Sequence, residues 1–142
     1  MKKLLALVMV LALALPFGVF ASETYEIAMV TDIGTIDDKS FNQGTWEGIV
    51  EFAEANGKTY NYYQPSGQST EIYMDFIEQA VNAGAKVIIT PGFLFEEPIY
   101  VAQDMYPDVH FILIDGNPHN AYYSEFRTEK NAVGIVYAEE QA

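Results

Sequence analysis

The chain of 142 residues contains 20 aspartates and glutamates, 7 lysines and arginines, and no cysteine. Without cysteine, disulfides, thiolate metal sites and a cysteine nucleophile are excluded for this sequence. The few basic residues are scattered, so nucleic acid is not expected as a partner, because neutralising its phosphates requires clustered lysine and arginine. An anionic membrane surface is an equally poor partner.

The first 21 residues have the pattern of a secretory signal peptide. Lys2 and Lys3 precede an apolar run over residues 4–15, and the small residue Ala21 ends the stretch. A transmembrane helix needs about 20 apolar residues, so this shorter run predicts an export signal cleaved after Ala21. Its removal leaves five basic residues against 20 acidic ones, a net charge of −15.

Apolar runs of strand length alternate with amphipathic helical stretches along the rest of the chain. In chain order we predict a strand over residues 25–31, a helix over about 40–56, a strand over 59–64, a helix over about 69–83, a strand over 86–90, a helix over about 97–105, and strands over 109–114 and 132–137. Asp38 or Ser40 can cap the first helix and Ser69 the second. Gly57 and Gly84 stand where these helices end.

This alternation predicts an α/β fold with a doubly wound parallel sheet, because each strand–helix–strand unit places two parallel strands side by side. Residues 86–90 and 109–114 are almost continuously apolar, which indicates strands covered on both faces. Right-handed crossovers favour the strand order 2-1-3-4-5.

A ligand site is expected outside the carboxyl ends of the strands, near the switch in strand order. Strands 1, 3 and 4 are neighbours in the predicted order, so the loops that follow them share one rim. The residues that this rule selects are Asp32, Gly34, Pro91, Gly92, Phe93, Asp115 and Gly116, together with Ser40, Phe41 and Asn42 at the start of the first helix.

These rim residues suit a neutral ligand with hydroxyl groups and a planar ring. The carboxylates of Asp32 and Asp115 can accept hydrogen bonds from hydroxyls, Asn42 offers both a donor and an acceptor, and Phe41 offers a stacking face. Structural roles remain open for three of them: a core contact for Phe41, a loop cap for Asp32 and a turn for Asp115. The acidic charge disfavours anionic ligands, and no glycine-rich phosphate-binding motif is present.

Catalysis, a metal ion and a cofactor are not expected. The two histidines are His110, inside a predicted strand, and His119, in a loop, and neither belongs to a recognisable catalytic or metal-binding pattern. Asp37 and Asp38 form an acidic pair, but such a pair before a helix usually caps it and compensates the helix dipole.

The sequence VTDIGTIDDKSFNQ at residues 30–43, followed by WEG at 46–48, resembles the opening signature of the BMP/PnrA-like substrate-binding lipoproteins. These proteins are the binding components of ABC transporters for nucleosides. Further matches are ITPGF at 89–93, the strand end at 111–115, NAVG at 131–134 and AEEQA at 138–142. The resemblance covers nearly all of the chain after the predicted signal peptide.

The resemblance implies one lobe of a type I periplasmic binding protein, in which two α/β lobes close on the ligand. It implies that Asp32, Phe41 and Asn42 contact the base of a nucleoside, with a purine favoured. It further implies that Asp115 binds the ribose hydroxyls and that Gly92 and Phe93 line the pocket. An ABC permease is the implied membrane partner of a monomeric, non-enzymatic protein without a cofactor.

Two features depart from the family pattern. Most family members carry a cysteine at the cleavage site, whereas Ser22 follows Ala21 here. We therefore expect an exported protein, periplasmic or secreted, that lacks a lipid anchor and meets the membrane through the transporter. Family members are also more than twice as long, so residues 22–142 are expected to be the N-terminal lobe of a two-lobed protein. The alternatives are a ligand-sensing domain of the same fold and an exported enzyme of flavodoxin-like architecture.

Overall fold

The structure is a computed structural model that describes residues 24–136. The predicted signal peptide, residues 1–21, and the AEEQA segment at 138–142 lie outside the described residues. The elements in chain order are β1 (Ile27–Val30), α1 (Phe41–Asn56), β2 (Tyr60–Tyr63), α2 (Thr70–Asn82), β3 (Val87–Pro91), a 3₁₀ turn (Phe93–Phe95), α3 (Glu96–Met105), β4 (His110–Ile114) and β5 (Ala132–Ile135). None of the helices within residues 24–136 has the length and apolar character that crossing a membrane requires.

The strands form one five-stranded sheet in the order β2-β1-β3-β4-β5. Every neighbouring pair is parallel. The predicted fold class and strand order are therefore confirmed. The order reverses between β1 and β3, so the carboxyl ends of these two strands and of β4 lie side by side at one rim of the sheet.

The start of α1 is capped by Asp38 rather than by Ser40. The Asp38 carboxylate accepts hydrogen bonds from the N–H groups of Ser40 at 2.8 Å and Gln43 at 3.1 Å, and the Ser40 side chain makes no cap hydrogen bond. The Gln43 side chain accepts a hydrogen bond from the N–H of Lys39 at 3.0 Å. These reciprocal bonds satisfy donors that every helix start leaves unpaired.

The other predicted helix boundaries follow the expected chemistry. Gly57 ends α1 with φ 64°, a left-handed conformation that glycine adopts at little cost. Ser69 caps α2, since its Oγ accepts the N–H of Ile72 at 3.2 Å. The third helix begins at Glu96, one residue earlier than predicted, and Pro98 lies in its first turn.

The two faces of the sheet are covered to different extents. Ala28 and Val30 point into a large core beneath α2 and α3, and Ile27 and Met29 point into a smaller core beneath α1. On the α1 side an apolar groove of about 440 Å³ runs along β3 and β4, and Phe52 at its border is 57% exposed. The prediction that both central strands are covered on both faces is therefore correct for β3 but only partly correct for β4, where Ile112 and Ile114 on the α1 side are half-buried and His110 is exposed.

Candidate functional site

The loops that follow β1, β3 and β4 meet at the carboxyl rim, as the topology predicts. The N–H of Gly92, just after β3, donates to the carbonyl of Ile114 at the end of β4, at 2.7 Å. The N–H of Asp115 donates in turn to the carbonyl of Ile135 in β5, also at 2.7 Å. These bonds fix the loop ends relative to each other, so the predicted site residues lie on one continuous edge.

Asp32 and Asn42 form the best-defined polar contact of the rim. The Asn42 Nδ2 donates to Asp32 Oδ1 at 2.7 Å and to Asp38 Oδ2 at 2.9 Å. The N–H of Gly34 also donates to Asp32 Oδ1, at 2.6 Å. Since Asn42 is only 2% exposed, its amide is held in one orientation. Both hydrogens of the Asn42 amide are used within the protein. The sequence suggested that Asn42 offers a ligand both a donor and an acceptor, but only the acceptor Oδ1 is left.

Two further residues are needed for this contact: Gly34, which the sequence placed on the rim, and Asp38, which the sequence gave only a capping role. A Cβ at Gly34 would lie 2.5 Å from Asn42 Nδ2 and 2.8 Å from Asp32 Oδ1, so only glycine fits there. Asp38 Oδ2 accepts the second hydrogen bond from the Asn42 amide. Burial raises the pKa of Asp38, but hydrogen bonds from Gln43, Ser40 and Asn42 outweigh it and lower the pKa below its ordinary value.

Phe41 stands at the open side of the rim rather than in the core. Its side chain is 42% exposed and borders a cavity of about 390 Å³ that is also lined by Ser40, Gly44, Thr45 and Ile114. The alternative role as a buried helix contact is therefore not observed. The position leaves ring surface available to a planar ligand.

Asp115, Gly92 and Phe93 border the rim where β3 and β4 end. Asp115 is half-buried and adopts φ 60°, a left-handed conformation that is uncommon for residues other than glycine and tolerated best by asparagine and aspartate. Within residues 24–136, no hydrogen bond engages its carboxylate. Gly92 has φ 98°, and the ring of Phe93 is 65% exposed. Strained backbone of this kind is concentrated at functional sites.

Three buried side-chain polar atoms of the described residues have no hydrogen-bond partner, namely Asn42 Oδ1, Tyr73 OH and Thr90 Oγ1. All three lie at the carboxyl end of the sheet. Asn42 is at the start of α1, Tyr73 is in the first turn of α2, and Thr90 is near the end of β3. Leaving a buried polar group unpaired costs about 1–3 kcal/mol. Such atoms require an explanation in a native fold, and their concentration at one rim points to a polar ligand there.

The two histidines lie outside the rim contacts described above, His119 in structural contacts and His110 at the surface. His119 is buried, its Nε2 lies 3.1 Å from Glu96 Oε2, and its ring stacks on Tyr123 with 3.8 Å between centroids. These contacts hold the loop after β4 against the start of α3. His110 is exposed on β4. Within residues 24–136, no cluster of three or more histidine, aspartate or glutamate side chains is arranged to hold a metal ion.

A parallel sheet of this order, with polar and aromatic residues along its carboxyl rim, places the protein among the doubly wound α/β folds that bind ligands at the switch in strand order. Its structural neighbours include ABC transporter solute-binding proteins, so the described residues form one lobe of the type I periplasmic binding fold. The family described as "ABC transporter substrate-binding protein PnrA-like" matches residues 25–142, and the chain belongs to this family. The family is described by substrate binding and not by an enzymatic reaction.

Two related proteins and one solved structure are similar to this chain. A "CD4+ T-cell-stimulating antigen" of Listeria monocytogenes is 32% identical over 100 residues, which are 67% of this chain and 28% of that protein. An "ABC transporter nucleoside-binding protein BmpA" of Lactococcus lactis is 27% identical over 119 residues, 81% of this chain and 31% of that protein. The solved structure of an ABC transporter solute-binding protein from Aeropyrum pernix K1 has TM-score 0.63 and 24% identity over 78% of this chain and 28% of its own. The chain thus spans less than a third of the length of these relatives.

Proposed function

We propose that residues 22–142 are the N-terminal lobe of an exported, two-lobed substrate-binding protein that binds a purine nucleoside and delivers it to an ABC permease. The observation that carries this proposal is the rim itself, where a fixed Asp32–Asn42 pair, an exposed Phe41 ring and unpaired buried polar atoms lie together. The name of the Lactococcus relative supports the choice of a nucleoside.

The roles of the rim residues follow from their chemistry. The exposed face of Phe41 stacks on the base, and Asn42 Oδ1, whose amide hydrogens are already used, accepts a hydrogen bond from the base edge. Asp32 orients Asn42 and contributes its second carboxylate oxygen to the base. The Asp115 carboxylate accepts hydrogen bonds from ribose hydroxyls. Gly92 and Phe93 line the pocket beside the ribose.

The charge of the lobe favours a nucleoside over a nucleotide. Without the predicted signal peptide the chain has a formal net charge of −15, from five basic and 20 acidic residues, and two carboxylates stand on the rim itself. Such a surface repels a phosphate group, whereas neutral hydroxyls and ring nitrogens pair with carboxylate and amide groups. In this proposal the two lobes close around the ligand and hold it, and no covalent bond is formed.

The second lobe forms the other wall of the cleft in this proposal. It is supported by the length of the relatives, of which this chain covers less than a third. The exposed rings of Phe41 and Phe93 are then covered only when the lobes close on the ligand. Export without a lipid anchor remains part of the proposal, and cell fractionation of the native protein tests it.

Isothermal titration calorimetry on the full-length protein tests the ligand. Inosine, guanosine and adenosine are titrated separately, with a free sugar and an amino acid as controls. The proposal predicts binding of at least one nucleoside and no binding of the controls. Binding of a sugar or an amino acid, without binding of any nucleoside, would refute the ligand assignment.

A further inference from the structure

A second, smaller cavity lies on the other side of the rim from Phe41. It has a volume of about 220 Å³ and lies between the start of α2, the 3₁₀ turn and the loop after β4. Its lining includes Thr70, Tyr73 and Glu97. The cavity is smaller than a site for a whole drug-sized ligand, which spans about 300–1,000 Å³. It therefore suits one part of a ligand.

Tyr73 places a hydroxyl in this region that packing does not explain. The side chain is 1% exposed, and its ring packs against Phe95 with 4.4 Å between centroids. The hydroxyl has no hydrogen-bond partner among the described residues. Phenylalanine would make the same ring contacts without burying an unpaired polar atom.

Polar groups line the wall of the cavity beside Tyr73. Burial, and after it the charge of Asp32, raise the pKa of Tyr73. Thr70 Oγ1 donates to Glu97 Oε2 at 2.9 Å, so a carboxylate and a hydroxyl stand at the cavity wall. Asp32 itself accepts a hydrogen bond from Asn42 at the start of α1.

Side-chain alternation adds a second unpaired hydroxyl on the same side. Ile88 of β3 lies in the core beneath α2 and α3, and Thr90, two residues on, points the same way because strand side chains alternate. Thr90 Oγ1 is buried without a partner. Leu113 of β4 faces this core as well.

We propose that the Tyr73 hydroxyl is a ligand-binding group and that the cavity beside it receives the hydroxyl-bearing sugar of the ligand. The larger cavity beside Phe41 then receives the planar base. This inference rests on the proposed function and deepens it. The phenol can donate to one sugar hydroxyl and accept from another, which satisfies an atom that the fold leaves unpaired.

The test compares inosine with 2′,3′-dideoxyinosine on the full-length protein and on Tyr73→Phe, by calorimetry. We expect the wild type to bind inosine more tightly than the dideoxy analogue. Tyr73→Phe should weaken inosine binding by about 5- to 10-fold, the range for one hydrogen bond, and leave the analogue within about twofold. Its melting temperature should not fall, since an unpaired hydroxyl is removed.

Tyr106→Phe is the matched control. Tyr106 packs against the same core but follows α3 at the opposite edge of the sheet, so neither affinity should change. Equal losses for both ligands in Tyr73→Phe, or no loss for either, would overturn the inference while the nucleoside function stands. If the wild type binds another nucleoside instead of inosine, the same comparison is made with that nucleoside and its 2′,3′-dideoxy analogue. A wild type that binds none of inosine, guanosine and adenosine would overturn the proposed function and this inference together.

Discussion

Replacing Phe41 by alanine in the full-length protein should weaken nucleoside binding strongly without unfolding the lobe. The ring is 42% exposed, and a large aromatic side chain buries about 150–250 Å² when fully covered. Covering the exposed part with a base therefore removes about 80 Å² from water. At about 25 cal/mol per Å² this is worth about 2 kcal/mol, which corresponds to about a 30-fold increase in Kd.

Phe52→Ala is the matched control for this prediction. Phe52 is on the same helix and is 57% exposed, but it lies three turns from the rim and borders the apolar groove instead. Titration calorimetry with inosine should show the large loss only for Phe41→Ala, and melting curves should show both variants folded. Wild-type affinity in Phe41→Ala, or an equal loss in both variants, would refute the stacking role.

Three further predictions concern the polar residues of the rim. Gly34→Ala should separate Asp32 from Asn42 and destabilise the lobe by about 1–3 kcal/mol in urea unfolding. Gly48→Ala is the control and should be neutral or stabilising, because its added Cβ meets no atom within 4 Å. Equal effects of the two substitutions on stability would contradict the steric argument. Asp115→Ala should weaken inosine binding more than hypoxanthine binding in calorimetry, and equal losses would remove the ribose role. Because hydrogen bonds lower the pKa of Asp38, its carboxylate stabilises the fold at neutral pH, and this contribution should be lost as pH falls below about 4. Asp38→Asn should flatten that part of the stability–pH profile, and an unchanged profile would contradict it.

The fold was predictable because apolar patterning reports directly on burial. The runs at residues 86–90 and 109–114 correspond to β3 and β4, and the predicted caps Ser69 and Gly57 act as expected. The uneven covering of the sheet was not predictable, because an apolar strand residue looks the same in sequence whether a helix covers it or not.

The meeting of the rim loops was predictable from topology, but the state of their polar atoms was not. Residue type shows that Asn42 has a donor and an acceptor, but only the structure shows that Asp32 and Asp38 use both donor hydrogens. Tyr73 occurs in the apolar stripe of α2 and Thr90 near the end of a strand, so their sequence pattern indicates packing. Whether a buried hydroxyl finds a partner depends on the loops around it, and periodicity carries no information about that.

The most direct test of the central claim is a crystal structure of the full-length protein with a purine nucleoside bound. We expect the base to stack on Phe41 with its edge at Asn42, and the ribose hydroxyls to contact Asp115. A nucleoside bound away from this rim, or at the rim with the base remote from Phe41, would contradict the proposed site.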